Sequence, residues 1–208
     1  EEINIEGTSN IVNLCIDNKV KKLCFVSSVA TIEKSVTSKM MNEADEWNTE
    51  KASYGYALTK YGAEMEVWRA SQEGVPVVIV NPGIILGGGF WHQGSGAIFS
   101  KIEKGFSFYS EGVMGFVSVN DVVKAMILLM KSNIVNERYI LVAENSSFKN
   151  IFFQIAQNLE KKPPSIKVTQ LMSAIGWRLE MLKSILTNNP PSFCLLYTSP
   201  SPRDAHES

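Results

Sequence analysis

The fold follows from residues 53–83, which read SYGYALTKYGAEMEVWRASQEGVPVVIVNPG. The first part predicts a helix to about residue 73. Ser53 can cap it and Gly74 ends it, because serine satisfies free N–H groups and glycine tolerates the helix-ending conformation. The second part, residues 75–80, is fully apolar, as is typical of a strand buried in a parallel sheet. At helical spacing, four side chains form the predicted apolar face of the helix: Ala57, Tyr61, Met65 and Trp68.

A second apolar run precedes the helix. Residues 22–28, KLCFVSS, end in two serines and predict another buried strand. Strand, helix and strand in this order form a βαβ unit, whose two strands lie parallel with a right-handed crossover in nearly all proteins. The rest of the chain continues this alternation, so we predict an α/β protein. The further predicted elements are a helix over 3–16, a glycine-rich loop over 83–96, a helix over 97–104, strands over 106–109 and 115–119, a helix from Asn120 or Asp121 to 131, a strand over 138–143, a helix from Ser147 to 159 and a helix over 171–186.

Composition and charge argue against several classes of function. The 208 residues are 45% hydrophobic and 20% charged, as in an ordinary globular protein with a sizeable core. A net charge of −1 argues against nucleic acid or an anionic membrane surface as the main partner. No apolar run reaches the length that crosses a bilayer. We therefore expect neither a nucleic-acid partner nor a membrane partner.

The cysteines and histidines indicate neither a disulfide nor a metal site. Cys15 and Cys24 lie in apolar segments, Cys194 stands apart from them, and no CxxC pair is present. We therefore expect reduced thiols, which indicate a reducing compartment, and we predict a cytoplasmic protein. His92 and His206 are isolated, so no metal site is predicted.

Tyr56 and Lys60 form a Tyr-x-x-x-Lys motif at the start of the predicted helix. Residues four apart lie one turn apart on the same helix face. A phenol beside an ammonium suits acid–base chemistry, because the cation favours the phenolate and brings proton exchange closer to neutral pH. In a chain with six tyrosines this spacing also arises by chance, so its surroundings decide its meaning.

Three pieces of the chain converge on this motif. Ser27 and Ser28 end the first predicted strand, Tyr56 opens the helix after it, and Pro82 and Gly83 end the next strand. In open α/β sheets ligands bind outside the carboxyl ends of the strands. We therefore expect these residues to meet at one edge of one sheet. These residues also have a purely structural interpretation. Ser28 can cap a strand end, and Pro82-Gly83 is a common pair where a strand passes into a loop.

Five sequence blocks follow in order: NIEGTSNI at 4–11, FVSS at 25–28, YALTK at 56–60, NPGIILG at 81–87 and FVSVNDVV at 116–123. Together they resemble the extended short-chain dehydrogenase/reductase superfamily. The similarity is greatest to the group of NAD-dependent epimerase/dehydratases, 3β-hydroxysteroid dehydrogenases and dihydroflavonol reductases. The resemblance implies a Rossmann-like doubly wound parallel sheet, of which this chain would form the C-terminal part, with a small substrate-binding subdomain.

The resemblance also implies roles for the matched residues. Tyr56 would be the general acid/base at the substrate oxygen, and Ser28 would hydrogen-bond the same oxygen. Ser27 would take this role instead if the alignment to the family motif shifts by one residue. Lys60 would hold the nicotinamide ribose and favour ionisation of the tyrosine.

The implied cofactor is NAD or NADP. It would be bound by Tyr56, Lys60 and the backbone of Pro82 and Gly83, which would contact the nicotinamide carboxamide. Asp121 matches a position that we interpret as the structural cap of its helix. The run Gly87-Gly88-Gly89 does not fit a phosphate-binding turn, because no G-x-G-x-x-G opens a helix within a first βαβ unit.

We predict an NAD(P)-dependent oxidoreductase that interconverts a hydroxyl and a carbonyl. One alternative is an NAD-dependent epimerase/dehydratase of nucleotide sugars, and another is a non-catalytic NAD(P)-binding regulatory or scaffold protein. The expected partner is a small molecule with a hydroxyl or carbonyl, and a homodimer is compatible with the resemblance. Side chains that could line an apolar substrate pocket, or else pack in the core, are Phe90, Trp91, His92, Phe108, Tyr109 and Met114.

The predicted organisation has three parts. Residues 1–143 form a partial NAD(P)-binding domain with interleaved substrate-side segments, and residues 144–189 form a helical substrate-side region. Residues 190–208 are rich in serine and proline and are interpreted as a disordered or artefactual tail.

Because the dinucleotide fingerprint is missing, we expect a fragment whose N-terminal part is absent and which is inactive alone. The chain as given should fail to bind NAD(P)H in isothermal titration calorimetry. Tight binding in that experiment would contradict this prediction.

Overall fold

The computed structural model of the chain describes residues 2–32, 40–45, 47, 56–91, 94–169 and 172. Several sequence predictions lie outside these residues: the Ser53 cap, the roles of His92 and His206, the state of Cys194, most of the helix over 171–186, and the tail over 190–208. The described chain divides into two compact units. Unit 1 comprises residues 1–86 and 116–143, and unit 2 comprises residues 87–115 and 144–208.

Unit 1 is built on a parallel sheet of three strands in the order β1-β2-β6. These strands are β1 (Leu23–Val26), β2 (Val77–Pro82) and β6 (Glu137–Leu141). The central strand β2 is buried along its whole length, as its continuous run of apolar residues predicts. Helix α2 (Tyr56–Gln72) connects β1 to β2, and Cys24 lies opposite Val78 in their parallel register. The predicted α/β class and βαβ unit are therefore confirmed.

A second strand pair in unit 1 overturns one prediction. Strand β3 (Ile84–Leu86) lies in the segment predicted as a glycine-rich loop, and it pairs in parallel with β5 (Val113–Ser118). Ile84 lies opposite Phe116 in this pair. The prediction was wrong because three apolar residues suffice for a short strand when a partner is present. The glycines at 87–89 begin only after it.

The predicted core face of α2 was only partly right, since of its four residues Trp68 packs against the core cluster. The buried residues of α2 are Ala63, Glu64, Val67 and Ala70, whereas Met65 is exposed and Ala57, Tyr61 and Trp68 are only half-buried. The apolar spacing left out Glu64, because glutamate is rarely buried, yet Glu64 is 0% exposed. The core that α2 forms with α1 (Gly7–Asp17) and β2 consists of Val12, Val67, Ala70, Val75, Val77 and Ile79.

A single turn of π-helix (Glu2–Glu6) precedes α1 and packs closely on α2. A Cβ atom added to Gly62 would lie 2.7 Å from Ile5 Cδ1, so a larger side chain at Gly62 would force Ile5 to move. The absence of a side chain at this point lets the two helical segments approach. The helix predicted over 3–16 thus consists of this π-helical turn followed by α1, which ends at Asp17.

Helix α4 (Val119–Lys131) begins one residue before the predicted caps, Asn120 and Asp121. The cap is Ser118, whose Oγ accepts a hydrogen bond from the Asp121 N–H at 3.1 Å and donates to Asp121 Oδ2 at 2.8 Å. Asp121 thus lies in the first turn, where a negative charge favours the helix dipole. The hydrogen bond from Ser118, followed by one from Lys124, lowers the Asp121 pKa.

The described part of unit 2 includes α3 (Gly96–Glu103), α5 (Phe148–Asn158) and several short strands. Strand β4 (Phe108–Tyr109) pairs in parallel with β8 (Ile166–Lys167), and β7 (Glu144–Ser147) leads into α5. Strands β7 and β8 were not predicted. The predicted cap of α5 is confirmed, because Ser147 Oγ accepts the Asn150 N–H at 3.2 Å.

The candidate pocket residues of unit 2 separate into two groups. Phe90 and Trp91 are exposed by 82% and 46%. Phe108 packs edge-on against Phe106 at a centroid distance of 5.8 Å, within an aromatic cluster that includes Phe152. Edge-to-face packing is a favourable geometry for aromatic cores. Phe108 is therefore a packing residue in this unit.

Lys22 joins the start of β1 to the end of α4 and provides a test of the fold. Its Nζ donates to the carbonyl oxygens of Leu129 and Ser132, at 2.5 and 3.1 Å. A cation at a helix C-terminus satisfies free carbonyl groups and interacts favourably with the dipole. Lys22→Met should therefore lower the free energy of unfolding by about 1 kcal/mol, measured by urea denaturation.

The matched control is Lys21→Met, which removes the same charge from the exposed neighbouring residue. It should leave the free energy of unfolding within about 0.5 kcal/mol of the original value. Equal losses in both variants would show that the Lys22 hydrogen bonds contribute nothing specific.

Candidate active site

Lys60 lies at the carboxyl end of β1, one helical turn after Tyr56. Its Nζ donates a hydrogen bond to the Val26 carbonyl oxygen at 2.8 Å and lies 4.8 Å from the centre of the Phe25 ring. Burial lowers the Lys60 pKa, while the negative charge of Glu64 acts in the opposite direction. The structure thus places a half-buried ammonium at the strand end where the sequence predicted one.

Tyr56 is the first residue of α2, and its side chain is 52% exposed. Its carbonyl oxygen accepts a hydrogen bond from Thr59 Oγ1 at 2.9 Å, and Thr59 Oγ1 also accepts one from Asn4 Nδ2 at 3.1 Å. These bonds tie the first turn of α2 to the π-helical turn before α1. The Tyr56 side chain remains accessible to a ligand.

The two serines after β1 have different environments. Ser27 is buried, and its Oγ donates to Glu64 Oε2 at 2.5 Å. The hydrogen of this hydroxyl is therefore already bonded inside the protein. Ser28 is half-buried and caps a single 3-10 turn (Val29–Thr31), with its Oγ accepting the Ala30 N–H at 3.2 Å. A hydroxyl that accepts one bond still has its own hydrogen to donate. Of the two serines, Ser28 is therefore the better candidate for a substrate contact.

Pro82 and Gly83 lie at the end of β2, beside β6. Pro82 is buried opposite Leu141, and the Gly83 N–H donates to the Leu141 carbonyl oxygen at 3.1 Å. Proline has no N–H, so neither residue has a free backbone donor. Any contact with a carboxamide would therefore use carbonyl oxygens. Their predicted cofactor role stays a prediction.

The sequence analysis missed a buried carboxylate at the centre of this region. Glu64 is 0% exposed. Its Oε2 accepts hydrogen bonds from Ser27 Oγ at 2.5 Å, Thr31 Oγ1 at 2.8 Å and Asn81 Nδ2 at 3.0 Å. Its position four residues after Lys60 is the signal that could have revealed it, because both side chains then share one face of α2.

The second oxygen of Glu64 faces β6. Oε1 lies 3.4 Å from both Trp68 Nε1 and Arg138 Nη1. Arg138 also donates to the carbonyl oxygens of Glu43 and Asp45, at 2.8 and 2.7 Å. Arg138 thus has three hydrogen-bond partners, and it connects the segment over 40–45 to the buried carboxylate of Glu64.

The donor set fits a nicotinamide dinucleotide better than a metal ion. Within the described residues, no group of three or more His, Cys, Asp or Glu side chains could hold a metal. The Lys60 ammonium has three N–H donors, of which one reaches Val26. It therefore retains donors that a ribose hydroxyl could accept, and Tyr56 beside it is exposed to ligands.

Cys24 lies in β1 and is a half-buried free cysteine, as is Cys15 in α1. Burial raises the Cys24 pKa, and the nearby charge of Lys22 opposes this effect only in part. A raised pKa disfavours the reactive thiolate. The reduced state of these two thiols stays a prediction.

None of the helices among the described residues combines the length and the apolar character that crossing a bilayer requires.

Known proteins that are similar to this chain identify its superfamily and its family. The parallel α/β sheet, with the tyrosine and lysine at its carboxyl edge, is that of the extended short-chain dehydrogenase/reductase superfamily, whose members use NAD or NADP. A model of an NAD-binding family, described as male sterility protein, matches residues 1–146. The chain belongs to this family, and the predicted superfamily and cofactor class are confirmed.

The similar curated proteins are reductases. Tetraketide alpha-pyrone reductase 2 of Arabidopsis thaliana is 30% identical over 141 residues, which are 61% of this chain and 43% of that protein. A putative dihydroflavonol 4-reductase of Synechocystis is 27% identical over 161 residues, which are 74% of this chain and 46% of that protein. The chain thus spans about half the length of the curated relatives that it matches.

Solved structures confirm the Rossmann-like fold. A nucleoside-diphosphate-sugar epimerase from Pseudomonas aeruginosa superposes with a TM-score of 0.76 over 99% of this chain and 67% of its own, at 18% identity. UDP-glucose 4-epimerase from Thermus thermophilus, in complex with NAD, superposes with a TM-score of 0.65 over 95% of this chain and 67% of its own, at 20% identity. At such low sequence identities, the similarity to these two structures shows a shared fold but not a shared activity.

The buried carboxylate generates a prediction about Asn81. Its Nδ2 lies 3.0 Å from Glu64 Oε2, so Asn81→Asp would place a second carboxyl oxygen against the first. Removing the donor and adding a like charge in a buried site should cost about 3 kcal/mol of unfolding free energy at pH 7. The loss is measured by urea denaturation.

Asn13→Asp serves as the control, since Asn13 is exposed and its Oδ1 accepts a hydrogen bond from Arg69 that a carboxylate can also accept. Its effect should stay within about 0.5 kcal/mol. An Asn81→Asp variant as stable as this control would show that Glu64 does not carry the charge assigned to it.

Proposed function

We propose that the whole protein is an NAD(P)-dependent oxidoreductase that interconverts a hydroxyl and a carbonyl. The observation that carries this proposal is the position of Lys60. Its half-buried ammonium lies against the carboxyl end of β1, one turn after the half-exposed Tyr56 and at the strand that leads to Ser28. The reductase names of the curated relatives support the same reaction class.

In this proposal the nicotinamide supplies or accepts the hydride, and the protein handles the proton. The Tyr56 hydroxyl gives a proton to the substrate oxygen during reduction and takes it back during oxidation. The Ser28 hydroxyl donates a hydrogen bond to the same oxygen. Lys60 holds a ribose hydroxyl and, through its positive charge, stabilises the phenolate that Tyr56 becomes.

Two observations favour a reductase over the alternatives. The relatives found by sequence, at 24–34% identity, are reductases, whereas the similar epimerase and dehydratase structures share only 16–20% identity. A non-catalytic cofactor-binding protein would not require an accessible tyrosine beside a half-buried lysine. Net consumption of NAD(P)H with a carbonyl substrate separates a reductase from an epimerase, which returns its cofactor unchanged.

We propose a small apolar or aromatic carbonyl compound as the substrate class. Several relatives are named for such compounds, among them a pyrone, a dihydroflavonol and an anthocyanidin. Exposed Phe90 and Trp91 in unit 2 are compatible with an apolar ligand.

Tyr56→Phe tests the proposal in the whole protein. Removing the hydroxyl removes the proton donor, so turnover of a carbonyl substrate should fall by roughly 100- to 10,000-fold. Binding of NADPH, followed by its fluorescence, should persist because Lys60 remains. Lys60→Met should instead weaken that binding.

Tyr61→Phe is the matched control on the same helix, where the Tyr61 ring stacks on Trp47 at a centroid distance of 4.8 Å. Loss of the Tyr61 hydroxyl leaves this stacking intact, so turnover should not change. Full turnover in Tyr56→Phe would refute both the oxidoreductase proposal and the epimerase alternative.

A further inference from the structure

Glu64 is a fully buried acidic residue that the proposed proton and hydride transfer does not use. A carboxylate loses its hydration when it is buried, and this costs several kcal/mol unless partners replace the water. Replacing a buried ion pair by apolar residues of similar volume is often neutral or stabilising. Stability alone therefore does not account for a glutamate at this position.

The partners of Glu64 surround Ser28. Ser27 and Thr31, which lie on either side of Ser28 in the chain, both donate hydrogen bonds to Glu64 Oε2. Thr31 Oγ1 and Asn81 Nδ2 also lie 2.8 and 3.2 Å from the Ser28 carbonyl oxygen. The carboxylate thus holds the groups that fix the backbone of Ser28.

Glu64 also acts on the other half of the candidate site. It lies one turn after Lys60 on α2, and Lys60 lies one turn after Tyr56. Burial disfavours the charged form of Lys60, and the charge of Glu64 favours it. One side chain therefore influences both the turn that carries Ser28 and the cation beside Tyr56.

We propose that Glu64 is a positioning residue of the active site, which fixes the Ser28 turn to the helix that carries Tyr56 and Lys60. This inference rests on the proposed function, since it assigns Glu64 a role only through those three residues. Because Glu64 is fully buried, this role is exerted through those residues and not through contact with a ligand.

Glu64→Gln in the whole protein tests this proposal. Glutamine keeps the size of the side chain, but its single neutral oxygen is a weaker acceptor for Ser27, Thr31 and Asn81 than a carboxylate. Its NH2 group would then face the donors of Trp68 and Arg138, so the network around Ser28 loosens. We expect kcat to fall about tenfold or more, while the substrate KM changes less than threefold, because the lost interaction matters most in the transition state. A kcat within about twofold of the original would overturn the proposal.

Val67→Ala is the control for lost stability. Val67 lies on the same helix, is fully buried and packs in the core cluster of unit 1. Its truncation should lower the melting temperature without lowering kcat. An equal loss of kcat in Val67→Ala would show that general destabilisation explains the effect of Glu64→Gln and would overturn the proposal.

Thr31 provides a second test that does not alter the buried charge. Thr31→Val removes the hydroxyl at nearly constant shape, and Thr31→Ser restores it. We expect kcat to fall at least about threefold in the valine variant and to return to within about twofold of the original in the serine variant. Equal kcat values in both variants would overturn the proposal even if Glu64→Gln did not fold.

Tyr56→Phe separates failure of this inference from failure of the proposed function. If Tyr56→Phe is inactive while Glu64→Gln and Thr31→Val are fully active, only the positioning role of Glu64 is refuted. If Tyr56→Phe keeps full activity, the proposed function is refuted and the role of Glu64 falls with it.

Discussion

The structure of unit 1 depends on one buried charge. The Glu64 carboxylate receives donors from the end of β1, the 3-10 turn after it, α2 itself, β2 and β6. Because an unpaired charge in the interior is far more costly than a paired one, these elements must all occupy their places for the carboxylate to be tolerated. The sheet order β1-β2-β6 and the position of α2 across it satisfy this requirement together.

The candidate site combines burial with exposure at one strand end. Lys60 is buried enough to lower its pKa, yet it keeps a carbonyl acceptor and a nearby negative charge. Tyr56 stands one turn earlier and remains half exposed. A charged side chain in a region of low dielectric acts more strongly on its neighbours than one in water. The proton transfer that we propose at Tyr56 relies on this arrangement.

Local patterns in the sequence predicted much of this fold. The apolar runs indicated β1 and β2, and Ser147 was identified as a cap because serine at that position satisfies free N–H groups. Strand β3 and the buried face of α2 were missed for a common reason. Ile84 pairs with Phe116 and Glu64 with Arg138, and neither partner can be recognised from the neighbouring residues. The motif placed Tyr56, Lys60 and Ser28, but the network that holds them depends on contacts between distant segments.

The distance along the chain between Glu64 and Arg138 has a consequence for biosynthesis. These residues are 74 positions apart, whereas Asn81 follows Glu64 after only 17. A nascent chain that has left the ribosome through β2 can already form the βαβ unit, with Ser27, Thr31 and Asn81 around the carboxylate. The arginine arrives only with β6, seconds later at ordinary rates of translation. Before β6 is made, Glu64 Oε1 lacks the Arg138 guanidinium, so β6 adds to unit 1 both a strand and the positive charge that balances the buried carboxylate.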